Sequence, residues 1–72
     1  MTPLQVRIIT ALRRHAGKRN TVNIAFELLA ADIGEGVSIQ QVHVALQDLM
    51  SDGFFLDQPR CDGGVFGGRL PS

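Results

Sequence analysis

The segment from Ser38 to Phe55 constrains the fold more than any other part of this 72-residue chain. It reads as an amphipathic helix, capped at its start, that stops at Gly53 and passes directly into an extended run. Ser38 and Gln41 have the spacing of a capping box, in which the hydroxyl accepts from an orphan amide and the glutamine reaches back to the cap. Ile39, Val42, Leu46, Leu49 and Met50, with Ala45 among them, recur at helical spacing and form one apolar stripe for burial. The opposite face gathers Gln40, His43, Val44, Gln47 and Ser51, a set without formal charge. Such a face is able to read base edges or to grip a protein surface.

Two further helices supply the core that the stripe requires. Thr2 and Gln5 repeat the capping-box spacing, and Pro3 stands at the first helical position, where its missing amide costs nothing. Leu4, Ile8, Ile9, Leu12 and Ala16 make a buried stripe, so a helix is expected over about 3–16, with Gly17 as its stop. Arg7 and Arg14 share its far side, while Arg13, Arg14 and His15 suit the negative end of its dipole. Lys18 to Thr21 form a connection, with Thr21-Val22 as an optional very short strand. A second helix fits about 24–33, with Asn23 as its cap and Glu27 in its first turn. Ala25, Leu28, Leu29 and Ile33 are its expected core side, with Phe26 near the edge. Gly34-Glu35-Gly36 ends it, and Val37 packs inward ahead of the third helix at about 39–52.

After Gly53 the pattern becomes extended. Phe54 to Gln58 and Val65 to Leu70 flank Pro59-Arg60-Cys61-Asp62-Gly63-Gly64, whose Asp-Gly and Gly-Gly steps supply the positive φ angles of a hairpin loop. A two-stranded hairpin over about 54–70 is expected, with Gly67-Gly68 weakening its second strand and shortening the pairing.

Length and charge exclude several classes. A chain of this size makes one domain, close to the lower limit for a self-supporting core. No apolar run is long enough to span a bilayer, and the start of the chain, interrupted by Arg7, does not read as a signal peptide. Cys61 is the sole cysteine, which rules out an internal disulfide and a conventional cysteine-ligated cluster and suits a reducing cytoplasm. His15 and His43 have no Cys or carboxylate at ligand spacing, so neither a metal nor another cofactor is expected. There is no nucleophile–base pair and no phosphate-cradling glycine loop, so an enzyme is not expected either. Net charge is zero, but Arg7, Arg13, Arg14, Lys18 and Arg19 precede the first acid, and no Lys or Arg stands between Glu27 and Gln58. That asymmetry bears on partner choice more than the sum does.

Helix, short strand, helix, turn, helix, hairpin is an order that resembles the winged helix-turn-helix superfamily. Ala25 with Leu28-Leu29 resembles the first helix of its motif, and Gly34 to Val37 its turn. Val42, Ala45-Leu46, Leu49 and Gly53-Phe54-Phe55 resemble its recognition helix and exit into the wing. The resemblance covers essentially the whole chain and implies an α+β fold of three helices followed by a two-stranded β-hairpin wing. Two departures are the glycine-rich Gly34-Glu35-Gly36, longer than a minimal turn, and a recognition helix without Arg or Lys.

The resemblance also implies a mode of DNA binding, with the third helix in the major groove and flanking backbone touched by the second helix's start and the wing. Gln40, His43, Val44 and Gln47 are then the base-reading residues. Glutamine can pair with adenine in a bidentate way, and valine can touch a thymine methyl. Lys18, Arg19, Asn20, Thr21, Asn23, Ser38, Arg60 and Arg69 are the expected backbone contacts. With so few cations a monomer would bind weakly, so a homodimer is implied, for which Val6 on the first helix is a candidate contact. The function so read is sequence-specific regulation of transcription on double-stranded DNA. The competing reading is a protein-interaction module on the same scaffold, using either the Gln40/His43/Val44 face or the acidic side of Glu27, Asp32, Glu35, Asp48 and Asp52.

Overall fold

The computed structural model describes residues 1–34 and 36–71. Its elements are α1 (Pro3–His15), a single 3-10 turn (Lys18–Asn20), β1 (Thr21–Ala25), α2 (Phe26–Ile33), α3 (Ile39–Ser51), β2 (Leu56–Asp62) and β3 (Val65–Arg69). The strands form one antiparallel sheet in the order β1-β3-β2. The fold is α+β, three helices on one face of a three-stranded sheet.

Both capping boxes form as their spacing predicts. The Gln5 amide donates to Thr2 Oγ1 at 3.2 Å and the Thr2 amide to Gln5 Oε1 at 2.9 Å. The Gln41 amide donates to Ser38 Oγ at 3.1 Å and the Ser38 amide to Gln41 Oε1 at 2.8 Å. At the other end of α3, Gly53 takes φ 72°, a left-handed conformation that a residue with a side chain rarely adopts, and so ends the helix. Ile8, Leu12, Leu29, Val42, Leu46, Leu49 and Phe66 are fully or almost fully buried and form the centre of the core.

The sheet is larger than the expected two-stranded wing. Thr21-Val22-Asn23-Ile24-Ala25 alternates exposed and apolar residues, with Val22 and Ile24 buried, the period of a half-buried strand. This segment pairs along its whole length with β3, from Thr21 opposite Arg69 to Ala25 opposite Val65. The second helix consequently starts at Phe26, two residues later than expected. Asn23 is a strand residue and not its cap, and Ala25 takes the cap position without a side-chain bond. Phe26, expected near the edge, anchors the buried stripe with Leu29 and Ala30, and Leu28, expected in the core, is 63% exposed on the other side. Ile39, expected in the buried stripe of α3, is 45% exposed because the first turn of that helix runs past the core.

Within the hairpin the turn is tight. Gly63 and Gly64 have φ 61° and 76°, the positive values a two-residue turn needs. Strand β2 begins at Leu56 and not at Phe54. Leu56 pairs with Arg69 but Arg60 with Gly67, so four steps along β2 match two along β3, and the surplus forms a bulge at Asp57–Pro59. A bulge and a proline on an edge strand both discourage pairing with another chain. Gly67 and Gly68 do not shorten the strand; both are paired, and on both sides Gly67 has a strand partner. At Gly68 the smallness has a steric cause: a Cβ there would lie 2.7 Å from Cζ of the buried Phe66, whereas one on Gly67 would meet only the exposed Asn23 Oδ1, at 3.1 Å.

Candidate recognition surface

Helix α3 carries the candidate surface because it is packed on one side only. Val42, Ala45, Leu46 and Leu49 are buried, while Gln40, Val44, Gln47 and Ser51 are exposed. Val44 is 49% exposed, an aliphatic side chain standing among amides. His43, expected on the same reading face, is turned to the flank and half-buried. Its ring stacks on Phe26 with centroids 5.4 Å apart and planes 29° from parallel. Phe26 is itself held where α2 begins, its amide donating to the Gly64 carbonyl of the hairpin turn at 2.8 Å.

Beside the exposed strip runs a groove of about 420 Å³ between the start of α1 and α3. Leu4, Val44 and Ala45 give it an apolar floor, and Gln5, Gln40 and Asp48 stand among its polar walls. The two capping boxes meet here, with Thr2 and Ser38 both at its margin. Each box commits its polar groups to the backbone of its own helix, so the Ser38 hydroxyl already accepts a bond from α3. Both boxes are legible in the sequence, and Asp48 stands there on the acidic side, but nothing in the sequence marks Leu4, Gln5 and Ala45 as surface. The spacing reveals each cap but not that two segments over thirty residues apart lie side by side.

Apart from Ser38, the residues expected to hold a DNA backbone fall elsewhere. Thr21 pairs with Arg69, Asn23 with Gly67, and Gly67 with Arg60, which puts all four polar side chains on one face of the sheet. That face is the outer one. Cys61, next to Arg60, points inward, its Sγ 3.5 Å from Met50 Sδ on α3. Burial pushes the Cys61 thiol above its ordinary pKa, leaving it a poor nucleophile at neutral pH.

Arg69 is occupied by structure. Its Nε donates to the Arg19 carbonyl at 3.0 Å and its guanidinium lies 3.5 Å from Asp57. The first bond secures the turn in which Arg19 and Asn20 have φ 60° and 59°. Lys18, Arg19 and Asn20 therefore sit at the beginning of β1, whereas α2 and the hairpin turn sit at its other end. At a rise of about 3.3 Å per residue, four strand steps separate these ends by about 13 Å. Phe26 and Cys61 both touch α3, and their neighbours in the chain include the exposed Glu27, Arg60 and Asp62. The remaining basic side chains bond within the helical layer or to the chain's end. Arg7 donates to the Ile33 carbonyl at 2.7 Å, Arg13 to the Pro71 carbonyl at 3.5 Å, and Arg14 to Asp32 at 2.8 Å. The Arg14 guanidinium hydrogen-bonded to Asp32 holds that carboxyl below its usual pKa, and His15 at 3.3 Å from it acts in the same direction.

Among the described residues, no three His, Cys, Asp or Glu side chains come together as a metal site, and no helix is long and apolar enough to cross a membrane. Comparison with protein-family models, with curated proteins and with solved structures finds no match to this chain.

Proposed function

We propose that this chain is a winged helix-turn-helix domain that works as a protein-interaction module, with the exposed face of α3 and the groove beside it as the contact. The order of the three helices and the hairpin supports the resemblance; β1, which joins the hairpin as a third strand, goes beyond the two-stranded wing it implies. The observation that carries the reading is the separation of recognition from charge. The groove joins an apolar floor to hydrogen-bonding walls, the mixture expected where a protein side chain is received. Of the cations that DNA affinity requires, Lys18, Arg19 and Arg69 gather at the start of β1, a strand's length from α2, and Arg60 stands on the outer sheet face. The single unpaired cysteine suits a reducing compartment, so a cytoplasmic partner is expected.

A second reading, sequence-specific DNA binding in transcription regulation, is supported by one feature. Gln40, Val44 and Gln47 form an exposed, uncharged strip with suitable chemistry for adenine and thymine edges. It would need a homodimer to gather enough phosphate contacts, and Val6, exposed on α1, is available for one. Titration of the protein with random duplex DNA at low ionic strength, followed by amide chemical shifts, separates the two readings. The interaction-module reading expects no salt-sensitive shift at Gln40, Val44 or Gln47. Shifts at those amides that vanish on adding salt, and a loss of sequence preference in Gln40→Ala/Gln47→Ala, would replace it with the DNA reading.

A further inference from the structure

We infer that the α1–α3 groove receives a basic amphipathic helix, whose apolar side chain sits against Leu4, Val44 and Ala45 and whose Lys or Arg meets Asp48 and Asp52. The inference rests on the interaction-module reading and names the chemistry of the partner.

The electrostatics of α3 point to a cation. Helix α1 ends as a helix dipole favours, with Arg13, Arg14 and His15 in its last turn. Helix α3 ends in the opposite sense. It has no basic residue in its last turn, Asp48 opens that turn, and Asp52 occupies the C-cap. Two carboxylates one turn apart repel each other, and both face the negative end of the dipole. Among the described residues neither is paired with a cation, since the three ion pairs there involve Asp32 and Asp57. A chain that satisfies the dipole rule at one helix and breaks it at another, on the wall of its groove, has local unfavourable charge that a ligand can offset.

The shape selects a helix. Asp48 lines the groove together with Val44 one turn before it, and Asp52 continues that row by one more turn. A partner helix laid along α3 would meet an apolar anchor point and then two carboxylates at helical spacing, the pattern of helix-in-groove recognition. At the β2 edge of the sheet an added strand would meet the bulge and Pro59, and neither sheet edge adjoins the groove's acidic row.

Fluorescence anisotropy with two synthetic amphipathic helical peptides tests this. Both carry the same leucine stripe; one has lysine on its polar flank and the other glutamate. The wild-type chain should bind the lysine peptide about tenfold tighter, equivalent to about 1.4 kcal/mol, with the difference shrinking as salt is added. Asp48→Asn/Asp52→Asn should abolish the preference, Asp48→Lys should reverse it, and Val44→Asn should weaken both peptides. Thermal melts confirm that each variant is folded. Equal affinity for the two peptides, preference for glutamate, or no binding of either overturns the inference. The reading beneath it fails differently, through salt-sensitive duplex binding at Gln40 and Gln47.

Discussion

The imidazole of His43 is stacked on the ring of Phe26, centroids 5.4 Å apart, at the point where α2, α3 and the hairpin turn come together. A residue that would have read a base is thus engaged in joining two helices. Stacked aromatic pairs contribute about 0.5–1.5 kcal/mol beyond the area they bury. His43→Ala should therefore lower the unfolding free energy by about 1 kcal/mol in urea melts, and His43→Phe should restore it. Unchanged stability in His43→Ala would free His43 for the recognition face.

Gly68 is held small by Phe66. With a Cβ only 2.7 Å from the Phe66 ring and 3.4 Å from Pro59 Cβ, Gly68→Ala should destabilise the domain by about 1–3 kcal/mol, the usual range for overpacking. Because the clash is with one ring, the double variant Gly68→Ala/Phe66→Leu should lose less than the two single losses added together. Such coupling in a double-mutant cycle identifies the contact.

How far the fold is legible in sequence depends on how local each signal is. Thr2 with Gln5 and Ser38 with Gln41 act within one helical turn, and both caps form as expected. Ile24 is different, because its neighbours fit two periods at once. Ile24, Leu28 and Leu29 belong to a helical repeat, while Val22 and Ile24 belong to an alternating one. The choice falls to β3, whose Phe66 and Gly68 lie opposite Ile24 and Val22, more than forty residues away. Pairing there delays α2 to Phe26, which then heads a buried stripe with Leu29 and Ala30 that leaves Leu28 outside. The same non-local step explains the candidate site. Lys18 and Arg19 precede α2 by a few residues in sequence, but an extended strand carries those few residues far, where a loop would have kept them close.

The Asp32 pair gives a pH dependence with a definite sign. Its folded carboxyl is more acidic than that of the unfolded chain, first through the Arg14 hydrogen bond. Its contribution to stability is therefore present above the unfolded value of about 3.9 and is lost as pH falls through the lower, folded value. Thermal melts of wild type and Asp32→Asn should differ at neutral pH, with wild type the more stable. They should converge as the medium becomes more acidic than the ordinary carboxylate range. A gap that persists in acid would mean that Asp32 acts through its shape and not its charge.

The unfavourable end of α3 can be measured directly as stability. Removing one carboxylate from the last turn relieves both the dipole and the repulsion between Asp48 and Asp52, effects of about 0.3–1 kcal/mol for an exposed charge. Asp48→Asn should raise the melting temperature slightly at low salt and less at high salt. A fall on substitution would show that Asp48 is already satisfied within the chain.

If the Val44 face of α3 receives a protein and the basic outer face of the sheet does not, as proposed, the two faces will differ in what they can be crosslinked to. A photo-crosslinking side chain placed at position 44, in the cells that express the chain, is compared with the same side chain at position 60. Position 44 should yield one stoichiometric protein adduct, lost on Asp48→Lys, and position 60 none. Adducts to nucleic acid from position 44, or a protein adduct from position 60 alone, would contradict the proposal.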